Sequence, residues 1–155
     1  MSPRAAWRLE SLGFTSVYDY VPGEADWLAN GLPSEGEAAG KPRAGTVAKR
    51  DVPTCHLTDT VGAVRTRIEG TSWEVCVVVN DEHVVLGMLG ENASAGDPQT
   101  PVEKVMESGP STWRLSGSLA DIEHYMDRHG VTAVIVSGSD GRLYGAVRRE
   151  DIPSA

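Results

Sequence analysis

The chain has 155 residues, 40% of them apolar and 23% charged, with a formal net charge of −8. That charge excludes recognition of nucleic acid through its backbone phosphates, which needs a basic stripe, while a domain of this length buries about 68–70% of the surface its unfolded chain exposes and needs no cross-links. The two cysteines, Cys55 and Cys76, stand 21 positions apart and make neither a zinc spacing nor a disulfide framework; with no secretory or membrane-spanning run in the sequence, the expected compartment is the cytoplasm, with no membrane partner.

Ser2-Pro3 reads as a helix start, Ser as cap and Pro at the first helical position, and Ala5, Ala6, Leu9 and Leu12 carry an apolar stripe until Gly13 ends it. A strand is predicted over 16–21, followed by Gly23-Glu24, a short helix with Trp27 and Leu28, and the exit Gly31-Leu32-Pro33. This order resembles the C-terminal end of a rhodanese domain, which assigns 1–33 as a rhodanese-like fragment. A rhodanese works through a loop cysteine held just ahead of the helix with which this chain begins, and only Met1 precedes Ser2. Neither Cys55 nor Cys76 lies in an electropositive loop that would activate a thiol, so sulfur transfer is not expected and the fragment reads as a structural cap or tether. Residues 34–46, rich in Gly, Ala, Pro and charge and without apolar period, read as a linker.

Residues 47–93 form a first unit. A short extended stretch over 54–57 precedes Val61, Val64 and Ile68, three and four apart as one helix face demands. The β-branched run 75–79 suits a strand buried on both faces, Asn80-Asp81-Glu82 turns the chain, and 84–89 returns as a second strand. The polar stretch 91–100 joins this unit to the next and is predicted to act as a hinge or lid over the cleft between them, with 94–101 as the inter-repeat linker. In 102–155 the order recurs: an extended stretch 112–115, then Leu119, Ile122 and Met126 on a helix with Ser118 as cap, Asp121 in its first turn and Gly130 at its exit. Strands over 131–136 and 142–147 follow, separated by the turn 137–141.

The two units superpose in sequence without a gap. Leu57 falls on Leu115, Val61 on Leu119, Val64 on Ile122, Ile68 on Met126, Val77 on Ile135, Gly87 on Gly145 and Leu89 on Val147, every pair at the same offset. Such a period means one supersecondary unit, β-α-β-β, used twice because a single copy cannot bury its own apolar face. Val102-Glu103-Lys104-Val105-Met106, the helix, the strand Gly130 to Val136 and the ending Leu143-Tyr144-Gly145-Ala146-Val147 with Asp151 resemble a cystathionine-β-synthase-type (CBS) domain. Two in tandem resemble the CBS pair, or Bateman module, over roughly 47–152. The fold class this implies is α+β, a tandem pair with pseudo-two-fold symmetry plus a short N-terminal α/β extension.

The resemblance implies a non-enzymatic regulatory module that holds an adenosine-containing ligand between the copies, where a hydroxyl residue and an aspartate spaced T/S-x-x-D meet phosphate and ribose. A carboxylate accepts two hydrogen bonds from paired ribose hydroxyls, and a donor three residues earlier reaches the same side. In the second copy Asp151 fills the aspartate position and Arg148 the hydroxyl position; a guanidinium binds phosphate bidentately, and Arg149 adds charge beside it. Thr112, Thr132 and Ala133 complete the candidate ligand contacts. The first copy has Gly90 and Ala93 at the two motif positions, which leaves at most one competent site. Against this stands the plainer reading that Arg148, Arg149 and Glu150 form a solvated terminal turn that Asp151 caps. Trp73 and Trp113 read first as packing residues and second as stacking partners for adenine. His124 and His129, five apart, are not a metal pair, His56 and His83 are isolated, and no catalytic residue, metal or resident cofactor is assigned. The competing class is a dimerisation or docking module with degenerate pockets; sulfur transfer, a third, lacks its cysteine loop. A homodimer is expected to pack through Ile122, Tyr125, Met126 and His129 on the second helix.

Overall fold

The structure, a computed structural model, describes residues 2–36, 40–90 and 96–153. Two helices open the chain, α1 (Ser2–Ser11) and α2 (Gly23–Ala29), and a single turn, α3 (Ala44–Val47), follows. The first copy is β1 (Thr54–Cys55), α4 (Val61–Ile68), β2 (Cys76–Val79) and β3 (Val85–Leu89). A 3₁₀ turn (Val102–Lys104) and β4 (Glu107–Ser108) lead into the second copy: β5 (Thr112–Arg114), α5 (Leu119–His129), β6 (Ala133–Ser137) and β7 (Leu143–Arg148), closed by a 3₁₀ turn (Arg149–Asp151). The order β-α-β-β is therefore present twice.

The repeat extends to individual backbone hydrogen bonds. In the first copy β2 pairs antiparallel with β3 through Val77 and Met88, Val78 and Gly87, then slips by a bulge to Val79 and Val85. In the second copy β6 pairs with β7 through Ile135 and Ala146, Val136 and Gly145, with the same slip to Ser137 and Leu143. In each copy the opening strand runs parallel to the middle one.

Alternation along the middle strands divides the interior into three layers, since successive side chains point to opposite faces of a sheet. Cys76 and Val78 face α4 with Cys55, Val61, Val64 and Leu89. Val134 and Val136 face α5 with Leu119, Ile122, Met126 and Val147. Val77, Val79, Ile135, Ala146, Trp73 and Val52 meet in a third cluster that joins the copies. At about 1.5–3 kcal/mol for each fully buried Val or Ile, this shared layer is what makes the pair one unit.

Four expectations need correction. The stretch 16–21 forms no strand: no strand among the described residues pairs with it to take its ladder hydrogen bonds, and Tyr18 and Val21 stand 90% and 89% exposed. The proposed linker 34–46 ends earlier: the Ala44 amide donates to Gly117 O and the Gly45 amide to Leu115 O, and Ala44 is fully buried in the second copy's core. Its counterpart one repeat later, Val102, donates to Asp59 O and is buried in the first copy's core, so each copy is completed by the segment that precedes the other. Residues 96–101 act neither as hinge nor as lid over the cleft; the Gly62 amide donates to Pro98 O and the Val61 amide to Thr100 O, which places them across the start of α4. Ile122 and Met126 are 0% and 2% exposed in their own core and offer no surface to a partner, leaving Tyr125 and His129 of that expected face. Residues 37–39 and 91–95, the latter including Ala93, lie outside the described residues.

Candidate functional site

The pseudo-two-fold axis passes between positions 74 and 132, where the chain enters β2 and β6. Glu74 and Thr132 meet across it, the Thr132 hydroxyl donating to Glu74 Oε2 at 3.4 Å. Around this point lies a cleft of about 260 Å³ lined by Ser72, Glu74, Val75, Thr132, Ala133, Arg148, Arg149 and Glu150. Four of the six candidate residues, Thr132, Ala133, Arg148 and Arg149, are thus brought together. Thr112 is not among them: it is exposed on β5 and pairs with Ile135.

Arg148 organises the cleft. It ends β7, which fixes its backbone, and its guanidinium spreads over three partners: Nε and Nη2 donate to Asp151 at 3.0 and 3.2 Å, Nη1 to the Ser72 hydroxyl at 2.7 Å, and Nη1 lies 2.7 Å from Glu150. Beneath it the buried Trp73 presents its ring 5.0 Å from the guanidinium carbon, a cation–π contact. Asp151 stands just behind the cleft wall. Its carboxylate accepts from the Arg148 guanidinium and from the Arg148 backbone N–H, with Lys49 4.0 Å away. These interactions, the Arg148 hydrogen bond foremost, hold its carboxyl below the usual carboxylate range. Asp151 therefore caps its turn, as the plainer reading has it, while Arg148 faces the cleft.

The charges balance locally. Arg148 is matched by Asp151 and Glu150, and Arg149 by Glu123 at 2.7 Å and Asp127 at 3.2 Å. The sequence reading missed Ser72, Glu74 and Val75, which lie on the first copy; the repeat held a signal for Glu74 and Val75, which stand one period before Thr132 and Ala133, and none for Ser72.

The other candidates are structural. Trp113 packs edge-on against Tyr125 at 5.8 Å, and Tyr125 lies 4.3 Å from the His129 ring. His124 meets Arg128, and His56 lies 3.8 Å from Asp81. Cys55 and Cys76 are buried in the first copy's core; the hydrogen bond between them and burial push the Cys76 thiol up, away from the reactive thiolate. Among the described residues no group of three or more His, Cys, Asp or Glu could hold a metal ion, and no helix is long and apolar enough to cross a membrane.

No protein-family model matches the chain, and no curated protein does. Solved structures do. The cytosolic domain of the Mg2+ channel MgtE in complex with ATP is similar over 71% of this chain and 47% of its own, with a TM-score of 0.66 and 22% identity. The CBS domains of a transcriptional regulator from Streptococcus pneumoniae match over 70% of this chain and 94% of theirs, with a TM-score of 0.65 and 23% identity. A CBS domain protein from Pyrobaculum aerophilum complexed with AMP matches over 73% and 92%, with a TM-score of 0.64 and 19% identity. The chain spans under half the length of the MgtE domain. At these identities the likeness establishes the fold, an α+β tandem CBS-domain pair.

Proposed function

We propose that this chain is a regulatory, non-enzymatic CBS-pair protein that senses an adenosine-containing molecule (an adenine nucleotide, S-adenosylmethionine or a dinucleotide) in the cleft between its copies. One observation carries the reading: Thr132, Ala133, Arg148 and Arg149 converge with Ser72, Glu74 and Val75 on the pseudo-two-fold axis, in a fold whose solved examples include complexes with ATP and AMP. Arg148 meets phosphate, Asp151 the ribose hydroxyls, and Thr132 and Ala133 the base. At about 260 Å³ the cleft falls just short of the roughly 300–1,000 Å³ typical of ligand pockets. Because Arg148 holds the Asp151 carboxylate, contact between Asp151 and the ribose needs the guanidinium to turn from that carboxylate, toward the phosphate where the ligand carries one. Because Glu74 and Glu150 share the cleft with the two arginines, ligands of low charge are favoured over a triphosphate.

A thermal-shift panel of adenosine, its phosphates, S-adenosylmethionine and dinucleotides tests this. At a hundredfold excess over Kd a ligand specific for the folded state stabilises by about 2.7 kcal/mol, roughly 5–10 °C for a chain of this size. Asp151→Ala removes most of that shift for every ribose ligand, whereas Arg148→Ala hurts phosphorylated ligands more than adenosine. Absence of any shift moves the reading to a docking module with degenerate pockets, which the closed Arg148–Asp151 pair and Gly90 in the first copy favour.

The same proposal includes a cytoplasmic homodimer that packs helix on helix around Tyr125 and His129. A monomeric mass by light scattering at micromolar concentration counts against it, and Tyr125→Asp weakens it by burying an unpaired carboxylate. The N-terminal stretch is read as a rhodanese-like end kept as a structural cap or tether, without thiosulfate-to-cyanide sulfur transfer.

A further inference from the structure

A cavity of about 680 Å³, sharing no residue with the cleft on the axis, lies between the N-terminal extension and the far end of the second copy's sheet. Pro22, Asp26 and Ala29 wall it on one side, and the β5–α5 loop and β6–β7 turn on the other. The extension reaches this place because Gly45 has no side chain: a Cβ there would lie 2.9 Å from Ala29 O and 3.1 Å from Leu115 Cβ.

Inside is an anomaly. Ser137 is 1% exposed, and its hydroxyl has no hydrogen-bond partner. A buried hydroxyl without a partner costs stability, and the fold does not require one here. The equivalent bulge position of the first copy is Val79, buried in the shared core. The matching recess of the first copy, beside Val79, is lined by His56, Leu57 and Asp59 and receives no residue of the extension.

The polar groups around Ser137 are unevenly committed. Asp26 accepts from the Tyr20 hydroxyl at 2.6 Å and from Asn30, and Asp140 accepts from the Arg142 backbone N–H at 3.1 Å. By contrast Arg114 donates through Nη1 to Gly138 O, and Arg142 has its Nε 3.7 Å from Asp140. A guanidinium has five donors, so both exposed arginines keep capacity for an anion at the rim. Leu115, Leu143 and Tyr144 supply an apolar wall.

We propose that this cavity binds a small organic anion with an apolar body, its carboxylate or phosphate on Arg114 and Arg142, its body against Leu143 and Tyr144, and one of its oxygens accepting from the Ser137 hydroxyl, which rotates about its Cα–Cβ bond to meet it. The extension is the outer wall of that site.

Nuclear magnetic resonance titration of the full chain with phenyl phosphate, benzoate and the neutral benzyl alcohol tests it. Amide shifts are expected at 114–117, 137–144 and around Ala29, with at least one anion bound about tenfold or more tighter than the alcohol; which anion wins identifies the group recognised. Ser137→Ala and Ser137→Val are expected to weaken the anion about 5- to 10-fold, the worth of one hydrogen bond, while the free variants melt no lower than the parent. Arg114→Gln with Arg142→Gln is expected to abolish the preference for the anion. The proposal is overturned by equal binding of alcohol and anions, by undiminished binding in the Ser137 variants, or by shifts confined to the cleft around Arg148. The adenosyl reading, which rests on Arg148 and Asp151, stands or falls separately.

Discussion

Residue by residue, the two copies serve as controls for each other. Ser118 has the better N-cap signature, yet it makes no side-chain cap hydrogen bond, whereas Thr60, its counterpart, accepts from the Ala63 amide at 3.3 Å. Thr60→Ala is therefore expected to cost about 1 kcal/mol in chemical denaturation, and Ser118→Ala markedly less. His83 holds a left-handed backbone with φ 65°, where the second copy has Gly141 at φ 81°. A β-branched residue tolerates that region worst, so His83→Val is expected to lose about 1–2 kcal/mol and His83→Gly to stay close to the parent. Asp151 gives a pH signature. Its carboxyl titrates lower folded than unfolded, so the pair with Arg148 stabilises at every pH above the unfolded value of about 3.9, and that contribution is lost as pH falls through the folded value. Urea melts at pH 7, 5 and 3.5 should show the deficit of Asp151→Asn constant between the first two and smaller at the third.

Element by element, the copies are held by crossed strands rather than by the linker between them. Lys49 pairs with Ala146 of β7, next to Gly145, and at the equivalent place in the repeat Glu107 of β4 pairs with Met88 of β3, next to Gly87. Both crossings need a glycine. A Cβ on Gly87 would lie 2.9 Å from Glu107 O, and one on Gly145 would collide with the Lys49 carbonyl. Gly145→Ala and Gly87→Ala are each expected to cost about 1–3 kcal/mol as overpacking, with Gly145 the worse because its first obstacle is backbone rather than the flexible Met106 side chain. Double-mutant analysis should find the two losses coupled, since both act on the same interlocked pair.

Across the chain as one body, the crossing shifts the boundary of the folding unit. A chain starting at residue 47 lacks Ala44, the two amide hydrogen bonds to Gly117 and Leu115, and the acceptor of the Tyr144 hydroxyl, Gly45 O. Residues 41–155 are expected to unfold cooperatively with nearly the parent's stability, and residues 47–155 to be weaker by at least about 1–3 kcal/mol, the cost of unmade buried hydrogen bonds. Equal stability of the two truncations by calorimetry would show that α3 is dispensable to the core.

The repeat alone dictated the architecture, because identical apolar periods at one offset admit one pattern of burial: Val77 and Ile135 had to face a common layer, and Gly87 and Gly145 had to stand at equivalent crossings. Resemblance to the CBS pair marked Thr132, Ala133, Arg148 and Arg149, which the cleft brings together. What lies across from them was settled in three dimensions. The repeat points to Glu74 and Val75 through Thr132 and Ala133, but Ser72 enters the cleft through the packing of one copy on the other, and Asp151 turned inward to Arg148 because an ion pair close at hand satisfies a half-buried carboxylate. The place of the N-terminal extension was hidden for the same reason. A strand over 16–21 needs a neighbour that sequence cannot supply, whereas the docking of α2 depends on Gly45, an absent side chain whose value appears only when another part of the chain fills its space.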